Sequence, residues 1–312
     1  MKKQIFALSI ASLMLMGCTG GKSILTLSVA APSGAPALGL YKHVSDSNLE
    51  INADPTNLVA YMTSGSKDVI ILPTNAGVQA IKKGANYLIA STITFGNFYI
   101  ASTGNDIDQT LNEGDYVVLF QQNNVPDKLF HYVYSDIASS LDIHYVNAAS
   151  DAASCIVIGK NASDDNHEVD YVLIAEPALS TALSKNTKAS EYANIQELYK
   201  AKSGNKEITQ ASIFVNKNVE HNKAKTLLDD INKDINELVS DGNILDEYLK
   251  DIDSLTLAAK FGGNLEKLKA MMNNQNRVGL GYKNALENKE AIDSFLSMWP
   301  AIGETSEEIY FK

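Results

Sequence analysis

Apolar residues along this chain gather in short runs, each ending in a polar loop rich in Gly or Pro and followed by a stretch with helical spacing. Ile24-Leu25-Thr26-Leu27-Ser28-Val29-Ala30-Ala31 alternates and then becomes wholly apolar, which predicts a strand over 24–31, and Pro32-Ser33-Gly34-Ala35-Pro36 stops it. A helix is expected over 37–43, a strand over 49–53, a helix from the Asp54-Pro55 turn to 64, a strand over 68–72 and a helix over 76–83. Asp68-Val69-Ile70-Ile71-Leu72 is apolar enough to be buried on both faces of a parallel sheet. Strand, loop and helix in succession predict an α/β unit.

Residues 87–102 are β-prone and broken at Gly96, so they read as two strands, the second carrying the chain out of the first unit. A second series then opens. Strands are expected over 115–120, 143–146 and 169–175, and helices over 127–140, 149–159 and 178–183, with Pro126 near a helix start and 161–168 a solvated turn. Residues 209–215 read as a strand returning to the first unit. Beyond it Leu227, Leu228, Ile231, Ile235 and Leu238 repeat at helical spacing, and three or four amphipathic helices are expected up to residue 297, their charged faces read as solvated surface. No period of 20 to 50 residues recurs, which argues against a solenoid.

The first residues carry a different pattern. Lys2 and Lys3 precede an apolar run over 5–16 that only Ser9 and Ser12 interrupt. That run is shorter than the ~20 residues a membrane-spanning helix needs, which favours a signal segment over a permanent anchor. Its ending, Leu15-Met16-Gly17-Cys18, resembles the lipobox of bacterial lipoproteins. The resemblance implies that residues 1–17 form a leader, that Cys18 is lipidated and opens the mature chain, and that 18–23 form a short tether. The alternative is a plain secretory peptide with an incidental Cys.

Composition narrows the function classes. Residues 18–312 number 295, which suggests two lobes rather than one core. Removing Lys2 and Lys3 from 26 cations leaves 24 against 37 acids, a net charge of −13. With that charge and a single Arg, Arg277, nucleic acid is excluded as a partner. Cys18 and Cys155 are the two cysteines; with Cys18 acylated, Cys155 has no partner for a disulfide and reads as a small buried apolar residue.

The order of these pieces resembles the extracytoplasmic substrate-binding proteins of ABC transporters. The likeness is to the nitrate, sulfonate, taurine and thiamine-precursor (pyrimidine synthase-like) branch. It rests on Pro32-Ser33-Gly34-Ala35-Pro36 after the first strand, on residues 69–75, and on Asp170-Tyr171-Val172-Leu173-Ile174-Ala175-Glu176-Pro177. It rests also on the ending from Ile302-Gly303 to Ile309-Tyr310-Phe311. It implies a two-lobed α/β fold of periplasmic-binding-protein type II, each lobe a mixed, mostly parallel sheet flanked by helices, with a ligand cleft between them. Lobe one is expected over 24–98 and 213–312 and lobe two over 99–212, hinged near 97–101 and 211–214. The implied protein is an extracytoplasmic solute-binding component, anchored to the bacterial cell membrane through the lipid on Cys18. A permease and an ATPase would be its partners, and a monomer is expected. A surface sensor or adhesin on the same fold is the alternative, with an exported enzyme behind it.

In open α/β sheets ligands bind beyond the carboxyl ends of the strands, so the strand-to-helix loops are the candidate site. They offer Ser33, Gly34, Ala35, Thr74, Asn75, Phe95, Asn97, Gln121, Asn123 and Glu176, with Tyr41 added as an aromatic neighbour. Hydroxyls, amides and one carboxylate suit reversible hydrogen bonding to a small polar molecule. No Lys or Arg falls in these loops. The balance favours a neutral or amine-bearing ring, such as a pyrimidine-like vitamin precursor, stacked on Phe95, Phe98, Tyr41 or Trp299, although a monoanion such as a sulfonate or nitrate could be held by Ser33, Gly34 and helix N-termini. Each of those aromatics reads more readily as core than as a stacking platform, and Glu176 reads either as a ligand contact or as a cap on the helix after Pro177. No cofactor, metal site or catalytic residue is expected: His43, His131, His144, His167 and His221 are scattered, and no nucleophile has an obvious base.

Overall fold

The protein is described by a computed structural model over residues 25–105 and 110–312. The leader, Cys18 and the tether lie outside these residues. The strands, in chain order, are β1 (Val29–Pro32), β2 (Leu49–Asn52), β3 (Val69–Pro73), β4 (Tyr87–Thr94), β5 (Phe98–Ser102), β6 (Tyr116–Phe120) and β7 (Asp142–Val146). They continue with β8 (Lys160–Asn161), β9 (His167–Glu168), β10 (Tyr171–Ala175), β11 (Ser190–Asn194), β12 (Ala211–Asn216) and β13 (Leu280–Asn284).

Two mixed sheets result, flanked by helices. One has six strands in the order β13-β4-β12-β3-β1-β2, and the other five in the order β11-β5-β10-β6-β7. The parallel pairs are the strands of consecutive strand-helix units: β1 with β2 and β3, and β6 with β7 and β10. Antiparallel pairs enter where the chain passes between sheets, β12 lying between β3 and β4, and β5 between β10 and β11. The crossings fall at residues 95–97 and 203–210, joining β4 to β5 and returning to β12.

Alternation decides what each strand buries. In β3, Ile70 and Leu72 join the apolar cluster that runs on into the five-stranded sheet, while Val69 and Ile71 point into the cluster on the opposite face. The helix His221–Ser240 covers that second face with Ala224, Leu227, Leu228, Ile231, Ile235 and Leu238, the three-and-four spacing read from the sequence. Gly77, in the helix Thr74–Lys82, lies so close to the Phe214 ring of β12 that a Cβ would sit 2.1 Å from it. Only hydrogen fits there.

Several expected elements are changed in detail. The helix over 37–43 is a single turn, Ala35–Leu38, followed by a 3₁₀ turn, Tyr41–His43. The helix over 127–140 is Val125–Val133 and a 3₁₀ turn, Ala138–Ser140. The three or four terminal helices are five, His221–Ser240, Leu245–Leu249, Ser254–Phe261, Leu265–Asn273 and Lys289–Leu296, with β13 between the last two. β11 and β13 are edge strands, half-buried or exposed at most positions, and each is interrupted by a register shift. Neither carries an apolar run, so neither announces itself in the sequence. The solvated turn over 161–168 carries the two-residue hairpin of β8 and β9.

Candidate functional site

Strands of both sheets end on one cavity of about 660 Å³. From the six-stranded sheet come the loop after β1 (Pro32, Ser33, Gly34, Ala35, Pro36), the end of β3 with Asn75 and Ala76, and Gln210 and Ala211 at the start of β12. The five-stranded sheet supplies Phe98, Phe120, Gln121, Asn124, Ala175 and Glu176, and Asn97 comes from the first crossing. Val59, Leu72, Phe98, Phe120 and Val125 make much of the wall apolar, and Phe98 and Phe120 stand 6.1 Å apart at 49°. A wider but shallower depression of about 850 Å³ lies on the helix faces around Lys233, Glu237 and Asp246, away from the strand ends.

Of the residues selected from sequence, Ser33, Gly34, Ala35, Asn75, Asn97, Gln121 and Glu176 line this cavity. The other four do not. Tyr41 is fully buried against Tyr248 on the far face of the six-stranded sheet. Thr74 is buried with its hydroxyl 2.8 Å from Ser212. Phe95 packs over Gly281 and beneath the Lys283 ammonium, 5.6 Å from its ring. Asn123 takes a positive φ of 65° and donates its backbone N–H to Asp127. Trp299 packs on Phe295 in the C-terminal segment, whereas Phe98 does reach the cavity. Gln210 and Phe120 were missed: Gln210 falls inside the strand expected over 209–215, whereas β12 starts only at Ala211, and Phe120 reads as the last core residue of β6.

Glu176 is 2% exposed and both its carboxylate oxygens have partners. Oε2 accepts from the Ser180 N–H at 3.0 Å, Oε1 from the Ser180 hydroxyl at 2.7 Å and from Arg277 Nε at 2.7 Å. The helix Ala178–Leu183 is thus capped by Glu176, one of the two readings open from sequence. Arg277 sits just before β13 and reaches across to the five-stranded side, where Nη2 also bonds Glu191 at 2.7 Å and the guanidinium lies 4.4 Å from the Tyr99 ring. Burial works against the Arg277 charge, but its bonds to Glu176 and Glu191 outweigh that and raise its pKa. Burial pushes the Tyr99 hydroxyl up to about 12, with the Arg277 cation opposing the rise.

The amides at the base of the cavity form a fixed chain. Asn97 Nδ2 donates to the Glu176 backbone carbonyl at 2.8 Å, and Asn97 Oδ1 accepts from Gln210 Nε2 at 3.2 Å. Several backbone donors of the loops are already bonded within the protein: Ser33 N–H to Asn52 O at 3.3 Å, Gly34 N–H to Lys260 O at 2.9 Å, Thr74 N–H to Gln210 O at 3.0 Å, and Gln121 N–H to Val146 O at 3.1 Å. Among the described residues no group of three or more His, Cys, Asp and Glu is arranged to hold a metal ion, and no helix is long and apolar enough to cross a membrane.

No protein-family model matches the chain, and a search of curated proteins finds no match. Solved structures do resemble it. An ABC transporter of Parabacteroides distasonis superposes with a TM-score of 0.72 at 17% identity, over 91% of this chain and 97% of that one. The ligand-binding component of an ABC-type import system from Staphylococcus aureus, crystallised with zinc, gives 0.63 at 11% identity over 91% and 95%. The periplasmic aliphatic sulphonate-binding protein SsuA of Escherichia coli gives 0.59 at 13% over 86% of each chain. At such identities the likeness establishes a shared periplasmic-binding-protein fold.

Proposed function

We propose that this chain is the solute-binding component of an ABC importer, held outside the cell membrane by a lipid on Cys18 and handing its solute to a permease driven by an ATPase. The observation that carries this reading is the meeting of strand ends from two sheets on one cleft with apolar walls and a polar base. In this reading residues 24–98 and 213–312 form one lobe and 99–212 the other, and the lobes close on the solute about the two crossings. Binding falls to Ser33, Asn75, Asn97 and Gln121, with Phe98 and Phe120 as the aromatic surfaces. The solute is a small polar molecule, with a pyrimidine-like or other heterocycle preferred to a sulfonate or nitrate. The protein acts as a monomer.

A thermal-shift screen tests this. The purified protein is melted with pyrimidines, thiamine and flavin precursors, taurine and other sulfonates, nitrate and amino acids. A solute that binds only the folded state adds ~2.7 kcal/mol at a hundredfold excess over its dissociation constant, which a melting curve resolves. Silence across the whole screen, in protein freed of carried-over ligand by unfolding and refolding, would move the fold to a sensor or adhesin role.

A further inference from the structure

We infer that a rear joint, in which Arg277 and Lys267 of one lobe hold the ends of β10 and β11 and the helix Ala178–Leu183 of the other, works with the crossings to fix the axis on which the lobes turn. The cleft then opens and shuts at its front rims alone. The inference rests on the solute-binding reading above and specifies the motion that regulates its site.

Polar links between the lobes are one-sided. The front rims are the loop 32–36 with Thr56 and Val59 on one lobe, and Phe120, Gln121 and 124–126 on the other. Among the described residues, no hydrogen bond or ion pair runs directly from residues 25–94 to residues 98–202, and the two stretches share no sheet. No bond therefore sets the separation of the rims.

The segment 262–279 carries the links instead. Arg277 Nε donates to Glu176 and Nη2 to Glu191, each at 2.7 Å, while the Arg277 carbonyl accepts from the Tyr99 hydroxyl at 3.0 Å. A planar fork satisfies both carboxylates only while it keeps one position against the five-stranded sheet. Ten residues earlier, Lys267 Nζ donates to the Thr181 hydroxyl at 3.0 Å, and Pro177 packs so closely on Gly262 that a Cβ there would lie 3.0 Å from its Cγ. The turn after Arg277 is pinned to the first crossing. The Phe95 N–H donates to the Gly279 carbonyl at 2.7 Å, and a Cβ on Gly279 would sit 2.1 Å from the Gly96 oxygen. Three further links, Tyr199 with Ser294, Lys206 with Glu290 and Lys283 with Glu207, flank the second crossing. One bonded edge thus runs past both crossings, and rotation about a bonded edge moves the unbonded edge most. Glu176 belongs to both parts, since its carboxylate is held by the joint and its carbonyl accepts from Asn97 at the cleft floor at 2.8 Å.

Double electron–electron resonance on the full chain, with no solute added, reads both edges. Spin labels carried on p-acetylphenylalanine in place of Asn57 and Gln122, exposed residues beside the front rims, report one separation. Labels in place of Lys185 and Ala270, exposed residues beside the joint, report the other. The front pair is expected to give the broader distribution and the rear pair a narrow one. Glu191→Gln combined with Lys267→Met leaves the buried Glu176 link and the cleft lining intact. It is expected to broaden the rear pair to about the width of the front pair while the urea midpoint moves little. Arg277→Lys keeps a cation for Glu176 but cannot fork to Glu191, and is expected to broaden the rear pair likewise; it decides the question if the double variant fails to fold. A merely structural role would lower the urea midpoint and leave the rear distribution as it is. A rear pair as broad as the front pair in the unsubstituted chain, or a rear distribution unchanged in the folded variants, would overturn the joint. Because no solute enters the measurement, the importer reading would still stand or fall by the thermal-shift screen.

Discussion

Arg277 shows how one residue takes its meaning from its place. In sequence it is a solitary cation in an acidic chain, useful for excluding nucleic acid. In the fold it is the partner of a carboxylate that is almost wholly buried, and it ties the segment before β13 to the ends of β10 and β11. Removing one side of such a pair leaves a buried charge short of a counter-ion, which costs about 3 kcal/mol or more. Arg277→Met is accordingly expected to lower the urea midpoint of unfolding substantially, and Arg277→Met with Glu176→Gln to recover part of the loss, since the neutral amide no longer needs a cation. Equal destabilisation by the single and double variants would show that packing on Tyr99 is what matters. The two readings of Glu176 left open by its sequence position, ligand contact or cap, differ only in what lies within 3 Å of the carboxylate. That depends on Ser180 four residues on and Arg277 a hundred residues on, and only the first is local.

At the scale of elements, strands that were plain in the sequence are those with apolar residues on both faces, such as β3, β6 and β10. Helices with a cap and a stop were equally legible: Asp54 accepts from Thr56 N–H at the start of Pro55–Ser64, and Gly65 ends it with φ 69°. Less legible was the helix Val125–Val133, whose first turn holds a titrating cluster. Asp127 accepts from the Asn123 N–H at 2.7 Å and the Tyr145 hydroxyl at 2.9 Å, and His131 Nδ1 lies 3.0 Å from its carboxylate. Burial would raise the Asp127 pKa, but these three bonds together lower it; the bond to Asp127 raises that of His131 against the opposing effect of burial.

The signs fix a pH window. The His131 contribution is complete below its ordinary value of about 6.5 and is lost as pH rises through the raised folded value, while that of Asp127 is complete above about 3.8 and is lost as pH falls through the lowered folded value. The pair therefore stabilises most between about pH 4 and about pH 6.5. His131→Asn is expected to reduce stability at about pH 5.5 and to have little effect at about pH 8. Urea midpoints at the two pH values check this, and an equal loss at both would mean that the ion pair contributes nothing.

In the proposed importer reading, the two sheets, joined by two neighbouring crossings, close on the solute by rotation of one sheet and its helices against the other. With solute in the cleft the radius of gyration is expected to fall, and small-angle scattering with and without a ligand from the thermal-shift screen measures it. No change on saturation would make the cleft a rigid site. Asn97 and Gln210 sit in the crossings themselves, so the bond between their side chains joins the two turning points at the floor of the cleft.

By itself the sequence determined the α/β class, the two strand-helix series and most of the loops around the cleft, whereas the crossings, expected near 97–101 and 211–214, fall just before β5 and β12, at 95–97 and 203–210. Those features follow from apolar periodicity and from Gly, Pro and Asp at element ends, which act over a few residues. Tertiary structure alone decided which loop groups remain available. The Ser33 and Gly34 N–H groups look free along the chain and are taken by Asn52 and Lys260 in space. Tyr41 and Phe95 are drawn into packing away from the cleft, and Gln210 enters it from before a strand. A hydrogen bond is satisfied by whatever lies within about 3 Å, and in this fold the neighbours that settle the site come from distant parts of the chain.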